Sequence, residues 1–99
     1  MKIPLSFNLF GSRITIEFDN NRCAEENAYG LSLLKQNRIY LADFSDGVNL
    51  QSTEIECTFL HETVHFILTR LGYEDLSKDE NFIKQFSNTL HQCLTTQKY

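Results

Sequence analysis

Between Thr58 and Thr69 the chain reads TFLHETVHFILT, and inside it stands His61-Glu62-Thr63-Val64-His65, the pattern His-Glu-x-x-His. On a helix, residues four apart differ by about 40° around the axis and about 6 Å along it. His61 and His65 therefore project from one face and can grip a single metal ion. Glu62 projects from the neighbouring face, close enough to handle a water held by that ion but outside the two-histidine grip.

The surrounding sequence favours a helix there. No proline interrupts it, and Ser52 or Thr53 can cap its start, with Glu54 and Glu56 favourable in the first turn. Gly72 is a stop signal after Leu71. Leu60, Val64, Ile67, Leu68 and Leu71 form one apolar arc, and Ile55, Phe59 and Phe66 form a second, almost opposite. A helix apolar on two sides is covered by more than one layer. The two histidines lie on a flank between the arcs.

Before this helix the pattern is that of strands. Ile3 to Phe10 and Arg13 to Phe18 predict a hairpin turning on Gly11-Ser12, with Pro4 at a strand start or edge. Asp19 to Asn27 is polar, with a short helical turn predicted over Cys23 to Ala28. Tyr29 to Leu34 and Arg38 to Phe44 predict a second hairpin, and Asp43 to Gln51 a loop broken at Asp46-Gly47. After the central helix, Tyr73-Glu74-Asp75 reads as a short turn. A second helix then begins at Leu76, with Ser77 and Glu80 spaced as a capping box. Phe82, Ile83, Phe86, Leu90, Cys93 and Leu94 make its apolar face. The fold class expected is α+β: about four strands, antiparallel or mixed, packed on the central helix and a C-terminal helix, as one domain over residues 1–99.

Composition narrows the function. The 99 residues carry a net charge of −4 and no basic run, which argues against a nucleic-acid partner. Apolar runs are too short for a membrane span, and no secretory signal pattern opens the chain. The three cysteines, Cys23, Cys57 and Cys93, have no Cys-x-x-Cys spacing and read as reduced thiols of a cytoplasmic protein. Cys57 and Cys93 read as core and Cys23 as a loop residue. His91 reads as a surface histidine, with an electrophilic role at the site as its alternative. Tyr29 and Tyr73 are further candidate donors to a developing oxyanion.

The segment Phe59-Leu60-His61-Glu62-Thr63-Val64-His65-Phe66-Ile67 resembles the zincin metallopeptidase signature. The order of sheet, motif helix, short turn and second helix resembles the minimal gluzincin-like domains of phages and mobile elements, akin to the ImmA/IrrE and SprT-like groups. The likeness covers roughly Arg38 to Leu94. It implies Zn²⁺ held by His61 and His65, Glu62 as general base, and hydrolysis of a peptide bond in a protein or peptide substrate. It also implies that an edge strand lines the cleft, and Arg38–Phe44, the strand before the motif helix, is the segment expected to do so. The metzincin extension is absent, since Leu68 and Leu71 stand where its Gly and third His belong. The gluzincin solution takes a Glu from the next helix, and Glu80, 15 residues after His65, fits it. Glu80 is also drawn toward its own helix cap by the spacing to Ser77. Asp79 is the rival ligand, with His91 and Asp75 behind it. Asp75, Asp79 and Glu74 are the candidates to orient a ligating histidine. Two other readings stand beside it: a binding module of the same fold whose metal is structural or vestigial, and a metal-free small phage-type protein in which the motif is a chance match.

Overall fold

Tight turns set the first sheet. In the computed structural model, which describes residues 1–99, β1 (Ser6–Leu9) and β2 (Ser12–Phe18) are closed by Phe10 and Gly11, both at positive φ (49° and 80°). Two successive left-handed residues match the twist of the strands they join. The turn therefore lies one residue earlier than Gly11-Ser12, and Ser12 is paired with Leu9 in the ladder. Pro4 falls before the strand, which begins at Ser6 rather than Ile3. Asp19 accepts a hydrogen bond from the Arg22 amide and starts a short helix, α1 (Asn20–Glu25), three residues earlier than the pattern predicts.

β3 (Gly30–Leu33) and β4 (Arg38–Leu41) form the second hairpin, connected through a 3-10 turn and Asn37 in the left-handed region. The four strands make one mixed sheet in the order β1-β2-β4-β3, with β4 parallel to β2 and antiparallel to β3. β4 is thus interior. The sheet edge beside the motif helix belongs to β3, which corrects the expectation that Arg38–Phe44 is the cleft-lining edge. Residues 43–51 are not a plain loop: β5 (Phe44–Ser45) and β6 (Val48–Asn49) form a small hairpin on Asp46 and Gly47, again both left-handed.

The central helix is α2 (Ser52–Arg70), with Leu71 as its C-cap and Gly72 at φ 88°. Its N-cap is Gln51, which makes no side-chain cap bond, so neither Ser52 nor Thr53 caps it. Phe59, Leu60 and Phe66 pack with Ile14, Ile16, Ile39 and Leu41 of the sheet. A smaller cluster of Cys23, Tyr40 and Ala42 joins α1 to the sheet. Cys23 is thus fully buried rather than a loop thiol, because α1 turns it onto the sheet; burial pushes its pKa up.

The segment after Gly72 is a short helix, α3 (Glu74–Ser77), rather than a turn, and α4 (Glu80–Thr95) begins four residues later than Leu76. The inward face of α4 is Ile83, Ser87, Leu90 and His91. Phe86, Cys93 and Leu94, expected inside, are exposed, while Cys57 is half-buried. α4 packs along α2, so the motif helix is covered by the sheet and by a second helix, as its two apolar arcs require. No helix is long and apolar enough to cross a membrane.

Candidate metal centre

His61 and His65 leave α2 on the same side, and Glu80, the first residue of α4, arrives opposite them. Glu80 Oε2 lies 3.1 Å from His61 Nε2, and Glu80 Oε1 lies 3.2 Å from His65 Nε2. The two Nε2 atoms are 3.3 Å apart. Zinc binds nitrogen and carboxylate oxygen at about 2.0–2.2 Å in a tetrahedron, whose edges are then about 3.3 Å. The three observed separations are of that length, although the two to Glu80 end on different carboxylate oxygens, and two histidines with a glutamate are a donor set that zinc accepts. The carboxylate meets His61 with one oxygen and His65 with the other, at separations that are also those of hydrogen bonds.

The competition between Glu80's two roles is resolved by its neighbour. Asp79 is the N-cap of α4 and accepts from the Phe82 amide, so the cap is filled without Glu80. The predicted Ser77–Glu80 capping box does not form, because Ser77 belongs to α3, a separate helix. Glu80 is left with a side chain 68% exposed and free to turn toward α2. Asp79, the rival ligand, is not among the converging donors, and neither are Asp75 and His91.

Ser77 has a different task. Its Oγ is 2.9 Å from His65 Nδ1. With a metal on Nε2, Nδ1–H would donate to that hydroxyl; facing the Glu80 carboxylate alone, Nε2 carries the proton and the Ser77 hydroxyl donates to Nδ1. The sequence nominates Asp75, Asp79 or Glu74 for this role. Ser77, buried where α3 meets α2, takes it because α3 brings its hydroxyl, rather than a carboxylate, against the imidazole. A serine at a helix end carries no sequence signal for this.

Glu62 is buried, with 8% of its surface exposed. The Ser32 hydroxyl of β3 donates to Glu62 Oε2 and lies 3.2 Å from the Glu62 carbonyl oxygen. Burial pushes the Glu62 carboxyl up from its ordinary range; the Ser32 bond and His65 oppose the rise, and the Glu80 charge adds to it. A carboxyl whose pKa is raised by burial holds a proton more readily than a solvated one. β3 comes this close to α2 through Gly30: a Cβ there would stand 2.6 Å from Thr58 Cγ2 and 3.1 Å from Glu62 Cγ.

These residues line an open groove of about 1270 Å³ that runs past Tyr29 and Gly30 to α1 and the β5–β6 hairpin. Lys84 and Asn88 of α4 contribute to its other side. Tyr29 thus lies in the groove, whereas Tyr73 and His91 do not. Tyr29 accepts through its carbonyl from the Ala42 amide, so the main-chain groups of Gly30 and Ser32 point away from β4, toward the open edge. Ser32, Gly30 and Ser77 are the site residues that sequence reasoning misses. Comparisons with protein-family models, with curated proteins and with solved structures find no match to this chain.

Proposed function

We propose that this chain is a zinc-dependent metallopeptidase of the minimal zincin type, acting on a protein or peptide substrate. The observation that carries the reading is the meeting of His61, His65 and Glu80 from two helices, with their donor atoms within 4.8 Å of one another. His61, His65 and Glu80 would hold the ion. When bound, zinc supplies a Lewis acid for the scissile carbonyl and lowers the pKa of a water to about 7. Glu62 takes the proton of the attacking water and hands it to the leaving amine. Its burial keeps its proton affinity high, and the bond from Ser32, which acts against that rise, holds the carboxylate in place. The open edge of β3 offers main-chain partners to an extended segment, and the open groove suits a segment presented by another protein.

Metal analysis with Glu62→Gln is the test. The wild-type protein should bind one equivalent of zinc and hydrolyse a peptide library. Glu62→Gln should keep the zinc and lose about 10²–10⁴-fold in rate, the usual contribution of a general base. A variant that retains the full biological effect would instead establish the metal-holding binding module. Substoichiometric zinc with no stabilisation on zinc addition would remove both readings.

A further inference from the structure

The face that α4 turns toward α2 is small and made by Ile83, Ser87, Leu90 and His91. Ile83 is its fully buried apolar side chain, and the Ser87 hydroxyl is turned back onto the Ile83 carbonyl at 2.7 Å, within its own helix. The polar exception is His91, whose Nε2 is 2.7 Å from Glu56 Oε1 of α2, with both side chains largely out of solvent (11% and 13% exposed). The Met1 amine lies 3.2 Å from the same oxygen. Buried charged pairs are weak sources of stability, and apolar replacements often do as well or better; their best-attested use is to permit a single register. Neither His91 nor Glu56 lines the groove.

The two helices run antiparallel: the start of α4 meets His61 and His65, and its later part meets Glu56. Glu80 and His91 are 11 residues apart (91 − 80), about 16 Å along the helix. A slip of one turn would carry Glu80 by about 5.4 Å. Metal–ligand distances tolerate about 0.2 Å. We propose that the His91–Glu56 pair is a register clamp that positions Glu80 as third metal ligand, which makes His91 and Glu56 positioning residues for a site they do not touch. This rests on the metal reading above and adds to it the part played by the far end of α4. The rival source of alignment is local, through α3 and the Ser77–His65 bond.

Zinc affinity and the visible spectrum of the cobalt-loaded protein, measured for wild type, His91→Leu, His91→Gln and Leu90→Ala, separate the two. His91→Leu should bind zinc about 10–100-fold more weakly, the range found for residues that orient ligands. Its cobalt bands should move toward those of Glu80→Ala. His91→Gln, which keeps an N–H for Glu56, should restore wild-type affinity and spectrum. Leu90→Ala should lose thermal stability with no change in either. Wild-type affinity and spectrum in His91→Leu would overturn the clamp, as would an equal loss of zinc in Leu90→Ala. Should His91→Leu fail to fold, Glu56→Met carries the same criteria. A wild-type protein that takes up no zinc would bring down the metal reading together with the clamp, a result distinct from weakening confined to the variants.

Discussion

Glu56 and Glu62 stand six residues apart on α2, both mostly withdrawn from water, and the structure pushes their carboxyls in opposite directions. Glu56 is held below its ordinary range, chiefly by the hydrogen bond from His91. Glu62 is raised above it, chiefly by burial, with a neutral hydroxyl as its hydrogen-bond donor. A carboxylate given a basic partner is fixed as an anion and serves as a tie. One given only a hydroxyl in a dry setting stays ready to exchange a proton. The same contrast separates the two ends of the α2–α4 contact. At one end a single histidine meets a single glutamate, and at the other two histidines share one exposed carboxylate.

The largest effect that can break this contrast is expected at Glu80. Glu80→Ala should weaken zinc binding by more than about 100-fold, beyond the range seen for residues that merely orient ligands. Asp79→Ala should instead cost about 1 kcal/mol through loss of the helix cap, with a far smaller change in zinc affinity. Calorimetric zinc titration and thermal unfolding distinguish them; equal losses of zinc would mean that the carboxylate assignment is wrong. Next comes Ser77→Ala, expected to lower zinc affinity about tenfold by freeing the His65 ring. An unchanged affinity would show that packing alone orients it.

The smallest effect is a matter of sign. Glu62 has a raised folded-state pKa, so its contribution to stability is present below its unfolded value of about 4.3 and is lost as pH rises through the folded value. Metal-free Glu62→Gln should therefore be more stable than wild type at pH 7 and should lose that advantage below about pH 4. Glu56 has a depressed pKa, so its contribution is present above the unfolded value and is lost as pH falls through the folded one. Glu56→Gln should accordingly be less stable at pH 7, and the deficit should shrink on acidification. Denaturant melts across pH 3–8 check both signs. The same sign in the two variants would erase the distinction between tie and base.

Much of the fold and the site is readable from the chain because helical periodicity carries it. The spacing of His61 and His65, the two apolar arcs of α2 and the stop at Gly72 are all local regularities. Glu80 can be nominated from sequence but not chosen, since its competing role depends on whether Asp79 or Ser77 caps the helix, a two-residue difference in where the helix starts. His91 is misread as a surface residue although a signal exists: Ile83, Ser87, Leu90 and His91 share a helical stripe, but the larger side chains of Phe86 and Leu94 draw the apolar face aside. The strand order is beyond reach of pattern. β3 and β4 have similar sequences of apolar residues, and only the parallel pairing of β2 with β4 decides which is left at the edge.

Gly30 links that edge to the chemistry. Because it has no side chain, β3 rests directly on the motif helix, with the Ser32 hydroxyl within reach of Glu62. A single methyl at this position would wedge strand and helix apart and so separate the place where an incoming chain could pair from the group that would act on it. Even the smallest side chain here would have to displace Thr58 or Glu62, so the spacing of strand and helix at the groove depends on this one residue having none.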